Sequence, residues 1–493
     1  MKRLSIIISI LFISALVSNC RKPDPTPEPE PEPNPIVEIS EIDEFIWEGL
    51  STYYLWEDVA PYISNSSYSG EETRNNFISS YNEDHEALFY DLLYQYGTID
   101  KWSWIVDDYV ALENMFQGIT KTMGFDYGLV RLSNSDDIFG YIRYVLPDSP
   151  ASNAGLSRGD LFLEINDQQL TVNNYRDLLS LDSYKLSFAT IENNVISANG
   201  KESTLMTAVE LQENPVYISK VIDIDGLKVG YLMYNGFTSS FDNELNDAFA
   251  DLKAQGVSEL ILDLRYNGGG SVQTAIYLAS MIYGTNTDQV FSKSQWNAEL
   301  QAYLTQEYGS DFFIDYFTDE ISQDGGGSLP INSLELSRVH IIATGSSASA
   351  SELVINGLMP YMDVYLVGTN THGKYVGSIT VKDYISNNTV NPNHTWAMQP
   401  IVLKIANSQG VSDYVDGFAP DTKIIEDLTN LSILGDEAEP LLSAALDHII
   451  GRRPSGTKAL EFEYFDVADS KDLKPLGKDM HMDITIDKKL QLH

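Results

Sequence analysis

The amino-acid sequence predicts a multidomain α+β protein with a helical N-terminal region, a β-rich module and an α/β layered core. The chain has 493 residues, too many for one ordinary domain, and 43% of them are hydrophobic, enough for more than one packed core. The hydrophobic spacing changes along the chain from helical, to short β-like runs, to alternating strands and helices. We therefore expect three folded parts, over residues 38–115, 116–208 and 209–452.

The charge of the chain limits its partners. Lys and Arg number 31 against 71 Asp and Glu, a formal net charge of -40 that is spread along the whole sequence. A nucleic-acid partner needs a basic surface that neutralises phosphates. The sequence therefore predicts no nucleic-acid partner, and the acidity is typical of a soluble surface outside the cytoplasm.

The first residues are typical of a signal peptide, which we assign to residues 1–19. A basic start, M-K-R, precedes an apolar run from Leu4 to Val17 that is too short to span a membrane comfortably. The following L-V-S-N-C resembles the lipobox of bacterial lipoproteins, and it contains the single cysteine of the chain, Cys20. The resemblance implies lipidation of Cys20 and anchoring to a bacterial membrane, facing the periplasm or the cell exterior. Cleavage without lipidation is the alternative, because Asn19 fits the lipobox poorly.

A spacer and a helical region come next. Residues 20–37 alternate Pro with charge and cannot bury a core, so they form an extended tether behind the lipidated cysteine. Residues 38–115 have hydrophobic side chains at helical spacing, as in Ile42, Phe45 and Leu50. The tryptophans of this region are assigned to its core: Trp47, Trp56, Trp102 and Trp104.

A β-rich module is predicted over residues 116–208. Its centre, G-Y-I-R-Y-V-L-P-D-S-P-A-S-N-A-G-L-S-R-G-D-L-F-L-E-I-N-D at 140–167, contains a strand, a short helix and a turn into another strand. This order resembles a bacterial PDZ domain, which binds a peptide as an added strand and holds its terminal carboxylate with backbone N–H groups. The alternative for the carboxylate-binding loop is an ordinary strand turn. The resemblance assigns that loop to Met123, Gly124 and Phe125.

Strands and helices alternate over residues 209–452, which predicts a layered core. Residues 293–330 are interpreted as an insertion or flap over this core. The tail, residues 453–493, is polar and has no pattern that assigns it a role. The apolar runs assigned to core strands are residues 229–234, 260–264, 339–343 and 364–367.

Three short motifs of the predicted core contain chemically useful groups. L-D-L-R-Y-N-G-G-G, residues 262–270, ends a strand in glycines that let backbone N–H groups approach a ligand. G-S-S-A-S-A-S-E, residues 345–352, is a strand-to-helix junction that exposes a serine, although an N-capping serine run has the same composition. G-T-N-T-H-G-K-Y-V-G, residues 368–377, carries Lys374 with few carboxylates around it, so burial would favour the neutral amine over the ordinary solvated ammonium.

In combination these motifs resemble the C-terminal processing peptidases, or tail-specific proteases of serine peptidase clan SK, over residues 40–450. The resemblance implies a ClpP/crotonase-like catalytic core and protein or peptide substrates, with no metal or cofactor. Ser349 matches the family's nucleophile and Lys374 its general base. The family's oxyanion donors fall on the backbone N–H groups of Ala350 and Gly269.

One position departs from the family pattern. Many members carry a glutamine four residues after the lysine, where it orients the base, and this chain has Ser378, which we assign to that task. The implied mechanism is acyl transfer, in which neutral Lys374 takes the proton of Ser349. His372 lies two residues before Lys374, but no acidic residue stands at a motif position to complete a Ser–His–Asp triad.

Two other functions remain open at this point. A catalytically retired, peptide-binding lipoprotein would keep the PDZ-like module and lose the chemistry, and Ser378 is the feature in its favour. An adhesin or glycan-binding surface protein would use the spacer and the abundant aromatic residues. The sequence leaves the natural substrate and the oligomeric state undetermined.

Overall fold

A computed structural model describes residues 37–132, 135–192, 195–323, 325–386, 389–453, 464–474, 476–482 and 484. The predicted signal peptide, Cys20 and the tether lie outside these residues. In the described ranges, no helix is both long enough and apolar enough to cross a membrane. The three-part α+β architecture predicted from the sequence is confirmed.

The N-terminal region packs its helices against the α/β core. Its helix α1 begins after Ser40, whose side chain accepts a hydrogen bond from the Asp43 N–H, and it buries Phe45, Ile46 and Leu50. These side chains belong to the same hydrophobic cluster as the central helices of the core. The elements are α1 Glu41–Tyr53, α2 Glu71–Ser79, α3 His85–Leu92, β1 Trp104–Val106 and α4 Tyr109–Phe116.

The β-rich module has its own core, which includes Phe162, Leu186 and Tyr175. Its main sheet has the order β3-β4-β5-β8-β9, and β3 lies at one edge of these five strands. The elements are β2 Ile119–Thr122, β3 Phe125–Leu132, β4 Ile138–Val145, α5 Pro150–Asn153, β5 Leu161–Ile165, β6 Gln168–Gln169, α6 Tyr175–Leu179, β7 Ser183–Tyr184, β8 Leu186–Glu192, β9 Val195–Glu202, β10 Met206–Thr207 and β11 Val209–Gln212.

The α/β core is built on a six-stranded sheet of order β12-β13-β14-β20-β21-β28, in which all strands after β12 run parallel. Its central strands are apolar runs because helices cover both faces. The helices are α7 Asp242–Ala254, α8 Val272–Tyr283, α9 Ala298–Tyr308, α10 Ala350–Leu358 and α11 Pro440–Ile449. The strands are β12 Val216–Ile224, β13 Leu227–Tyr234, β14 Glu259–Asp263, β15 Gly270–Ser271, β16 Val290–Trp296, β17 Ile314–Tyr316, β18 Glu320–Ser322, β19 Ser328–Pro330, β20 Arg338–Ala343, β21 Asp363–Gly368, β22 Val376–Ser378, β23 Val381–Lys382, β24 Tyr384–Ser386, β25 Thr389–Val390, β26 Ala397–Gln399, β27 Ile401–Asn407 and β28 Thr422–Lys423.

The interpretation of residues 293–330 as a flap is wrong. Strand β16 pairs with β27 over five residue pairs, and Leu300 and Leu304 of α9 are fully buried in the main hydrophobic cluster. The polar sequence of β16 concealed its place in the sheet, because its partner strand comes about a hundred residues later in the chain. The segment is therefore part of the core.

An ion network joins the PDZ-like module to the core. Arg158 of the module donates to the Glu426 carboxylate (2.6 Å) and to the Tyr266 hydroxyl (2.8 Å). Fully buried Arg265 pairs with the same Glu426 and with Glu439. Burial opposes ionisation of Glu426, but Arg158 and Arg265 outweigh it and lower its pKa to about 2. The network fixes the module against the core.

The polar tail contributes two further strands. We call residues 464–474 and 476–482 the C-terminal segment. Its first strand extends the sheet of the module at β3, and its second lies between β15 and β22 of the core. These strands are β29 Tyr464–Asp469 and β30 Met480–His481.

Candidate active site

Ser349 stands at the junction between β20 and α10. Its φ of 65° and ψ of -115° put a residue with a Cβ in the left-handed region, which is a strained backbone conformation. The residue is fully buried, and its Oγ has no hydrogen-bond partner within the described part of the chain. Ser349 is nevertheless the N-cap residue of α10, in a capping-box arrangement in which the Glu352 carboxylate accepts the Ser349 N–H (2.9 Å).

The glycine loop after β14 lies directly against Ser349. A Cβ on Gly269 would come within 2.7 Å of the Ser349 Cβ, so only glycine permits this approach. The Gly269 N–H donates to the side chain of Asn267 (2.9 Å), whereas the Gly270 N–H donates to the Asp479 carbonyl (2.7 Å). The N–H of this loop that binds a carbonyl oxygen is therefore that of Gly270, whereas the sequence predicted that of Gly269.

Lys374 is almost completely buried, with 1% of its surface exposed. Burial lowers the pKa of this lysine below its usual value, and the charge of Asp479 opposes the shift. Its Nζ donates to the Lys478 carbonyl (2.9 Å) and lies 3.4 Å from the Asp479 carboxylate. Trp102, assigned to the core from the sequence, is instead half-buried, with its ring centroid 5.9 Å from the Lys374 Nζ.

Glu352 links the loop that carries Ser349 to the loop that carries Lys374. One carboxylate oxygen accepts the backbone N–H groups of Ser349 and Lys374, each at 2.9 Å. The other accepts the Thr371 hydroxyl and the Gly373 N–H, each at 2.6 Å. Burial raises the pKa of Glu352, and these four hydrogen bonds oppose that rise. The sequence analysis missed this role, although S-x-x-E at residues 349–352 is the pattern of a capping box.

Asp479 is the second residue that the sequence analysis missed. Burial disfavours its charge, but Lys374 and then His481 outweigh burial and lower its pKa to about 2. His481 Nδ1 lies 2.9 Å from the second carboxylate oxygen of Asp479. No signal in the sequence marks Asp479, because it follows a polar stretch about a hundred residues after Lys374.

The other predicted site residues fall in different places. Ser378 contacts the C-terminal segment, with its Oγ 3.4 Å from Asp479 Oδ1, so it reaches the lysine only through that carboxylate. The Ala350 N–H is the first of α10 and has no acceptor within the helix. His372 is half-buried, and this partial burial, together with the neighbouring Lys478, lowers its pKa to about 4.

The predicted carboxylate-binding loop lies at the start of β3. Gly124 has a φ of 83°, and a Cβ there would meet the Ser149 side chain at 2.2 Å, so the turn requires glycine. The Met123 and Gly124 carbonyls accept hydrogen bonds from the helix and loop that follow β4. Met123 and Phe125 are buried in the core of the module.

Two cavities flank the C-terminal segment near the site. One, of about 530 Å³, is lined by α4, the glycine loop and residues of the segment, including Asp479 and His481. The other, of about 410 Å³, is lined by Trp102, His372, Lys374 and Asp479. Ser349 lines neither of them.

Comparison with known protein families agrees with this architecture. The model described as Peptidase family S41 matches residues 228–423, the PDZ domain model matches residues 141–185, and the Peptidase S41 N-terminal domain model matches residues 41–104. The chain belongs to peptidase family S41, and the resemblance to the C-terminal processing peptidases is confirmed.

The individual relatives share only about a quarter of their aligned residues with this chain. A CtpA-like serine protease of Staphylococcus aureus (strain COL) is 24% identical over 232 residues, which cover 47% of this chain and 41% of the relative. Its counterpart in Staphylococcus epidermidis is 22% identical over 236 residues. The match thus spans about two fifths of the length of these curated relatives. The crystal structure of an S41 protease from Bacteroides fragilis NCTC 9343 is 26% identical, with a TM-score of 0.59, and covers 84% of this chain and 98% of that one.

Proposed function

We propose that this protein is a serine endopeptidase that cleaves proteins outside the cytoplasm through a Ser349–Lys374 pair, with the PDZ domain engaging its substrates. The main support for the proposal is the strained backbone of Ser349, the burial of its hydroxyl and the glycine loop beside it. The backbone of this residue is in the left-handed region, and its hydroxyl is buried without a hydrogen-bond partner in the described chain and placed against a glycine loop. A serine held in this way, at a helix N-terminus, suits a nucleophile.

The first step forms an acyl-enzyme. Neutral Lys374 takes the proton of Ser349 Oγ while the oxygen attacks the carbonyl carbon of the substrate. The negative charge that develops on the carbonyl oxygen is stabilised by the Ala350 N–H and by the glycine loop, through Gly269 or Gly270. The protonated lysine then gives its proton to the leaving amine as the peptide bond breaks.

The second step releases the product. A water molecule attacks the ester carbon, Lys374 accepts a proton from that water, and Ser349 Oγ leaves and is reprotonated by the lysine. No group outside the chain is consumed except water. The burial of Lys374 supports this role, because an unperturbed lysine with a pKa of ~10.4 is almost entirely protonated near neutral pH. Desolvation favours the neutral amine that the mechanism requires.

Labelling with a fluorophosphonate probe tests the proposal. The full chain should be labelled covalently on Ser349, and Ser349→Ala should remove the label. Lys374→Ala and Lys374→Arg should each slow labelling by about a thousandfold, since a guanidinium stays protonated. His372→Ala should label within about threefold of the parent. Labelling that depends on His372 and survives Lys374→Ala would contradict the mechanism, and no labelling in any variant would favour a retired, peptide-binding protein.

The proposal includes a lipid anchor at Cys20. The apolar run, the L-V-S-N-C sequence and the Pro-Glu tether support it. Stable anchoring needs more than one acyl chain, which the lipidated cysteine of a bacterial lipoprotein provides. Cys20→Ser should move the protein from the membrane fraction to the soluble fraction. A parent protein that is already wholly soluble would contradict the anchor.

A further inference from the structure

We propose that the C-terminal segment is a built-in inhibitor, which occupies the peptide-binding edge of the PDZ domain and the active site of its own chain. The proposal concerns the regulation of the site and rests on the peptidase function proposed above. Its basis is the path of residues 464–474 and 476–482 through both places.

The first contact is at the PDZ domain. Strand β29 pairs antiparallel with β3, from Tyr464 opposite Leu132 to Asp469 opposite Gly128. The Ser470 N–H then donates to the Tyr127 carbonyl (2.9 Å). The segment thus runs along β3 towards the predicted carboxylate-binding loop. Addition of an antiparallel strand at a free sheet edge is how such domains bind peptides.

The second contact is at the active site. Strand β30 runs parallel to β15 on one side and to β22 on the other, so it completes the second sheet of the core. Just before β30, the Asp479 carbonyl accepts the Gly270 N–H (2.7 Å). The backbone of the segment therefore takes the position where a substrate strand would offer its carbonyl to the glycine loop.

The segment leaves no path for a substrate to Ser349. A Cβ on Gly269 would meet the Asp479 carbonyl oxygen at 2.3 Å and the Ser349 Cβ at 2.7 Å, so the segment lies against the same glycine as the nucleophile. Ser349 has no exposed surface, and the cavities on the two sides of the segment are not lined by it. A protein chain cannot reach the hydroxyl until the segment leaves.

The segment also alters the chemistry of the base. The Asp479 carboxylate lies 3.4 Å from the Lys374 Nζ, and both groups are buried. An anion at this distance in a buried site favours the protonated lysine, which cannot accept the serine proton. Docking of the segment therefore covers the nucleophile and places an anion beside its base, which opposes the lowering of the Lys374 pKa by burial.

The charge pair at the centre of the docked segment is Asp479 and Lys374, and the Asp479 carboxylate opposes the lowering of the Lys374 pKa by burial. The pair is faced by charged or titratable groups from every neighbouring element: Asp100 of the N-terminal region, Glu352 of α10, His372 of the lysine loop, and Lys478 and His481 of the segment. None of these groups is altered in the variants below.

Asp479→Asn in the full chain is the central test. The amide keeps the shape of the side chain and removes the charge that pairs with Lys374. Fluorophosphonate labelling of Ser349 should accelerate roughly 10- to 100-fold relative to the parent. Asp251→Asn, an equal charge change at an exposed position of α7, should label at the parent rate.

Met480→Arg is an independent variant, because Met480 is fully buried and a charge there should expel β30. Acceleration in both variants, with unfolding temperatures near that of the parent, supports the proposal. Labelling of Asp479→Asn at the parent rate or slower at all pH values overturns it, and a slower rate would make Asp479 a positioning residue for the lysine. Parent labelling that requires Ser349 keeps the peptidase function intact in that case, whereas absence of labelling in every variant would reject the function itself.

Discussion

The same segment is bound at two sheet edges in different ways. At the PDZ domain it pairs antiparallel with β3 over five residue pairs, and its buried Asp469 carboxylate also pairs with Arg143 of β4 (3.2 Å). At the active site it pairs parallel over two residues with β15 and one with β22, and an ion pair between Asp479 and Lys374 accompanies the strand. The PDZ edge therefore has the longer strand pairing, whereas the active-site edge has a short strand pairing and an ion pair with the proposed base.

The two edges should therefore have different roles, one in how tightly the segment binds and the other in whether the enzyme is active. Backbone pairing accepts many sequences, so a strand from a substrate can replace β29 without matching it residue by residue. The ion pair is specific, and its strength changes with protonation of Lys374. We therefore expect the PDZ edge to set how readily the segment is exchanged and the active-site edge to set whether the enzyme is active.

The largest effect is expected at the active-site edge. A Cβ on Gly477 would lie 1.7 Å from the Lys471 carbonyl oxygen, so Gly477→Ala should open the tight turn that leads into β30. Labelling of Ser349 should rise roughly 10-fold or more, because the turn lies wholly within the segment and the catalytic loops are unchanged. Gly70→Ala, at a position with open space around it, is the matched control for the kinetic measurement. A rate equal to that of this control would mean that the turn does not hold the segment in the site.

A smaller effect is expected at the PDZ edge. The Ser470 hydroxyl donates to buried Asp126 (2.5 Å), and Ser470→Ala removes this bond at a cost of about 1–3 kcal/mol to docking. A fluorescent peptide with a free C-terminal carboxylate should bind the full chain about tenfold more tightly, while labelling of Ser349 should rise no more than about threefold. Ser67→Ala, at an exposed serine, should change neither quantity. A rise in labelling as large as that of Gly477→Ala would mean that the two edges release the segment together.

The sequence predicted the parts of the molecule whose signals are local. The core strands and helices have strong hydrophobic periodicity, and Ser349 and Lys374 stand in short motifs at strand ends. Strands β29 and β30 are short and isolated within a polar tail, and their partners β3 and β15 lie hundreds of residues earlier, so periodicity could not reveal them. The function of Asp479 depends wholly on that distant pairing. The role of Glu352 could have been predicted, because its capping-box spacing from Ser349 is visible in the sequence.

The covalent link between the catalytic core and the C-terminal segment has a consequence for substrate competition. Fourteen residues separate the end of α11 at Ile449 from the start of β29 at Tyr464, so the segment can never diffuse away from the site it covers. A ligand joined to its receptor through a short stretch of chain acts as if present at a concentration on the order of millimolar, however dilute the protein is. A free peptide that binds only one of the two edges would have to exceed that concentration to displace the segment. A protein whose end engages the PDZ domain while another stretch reaches the active site gains the same advantage of local concentration, so the enzyme would select substrates by two-point attachment.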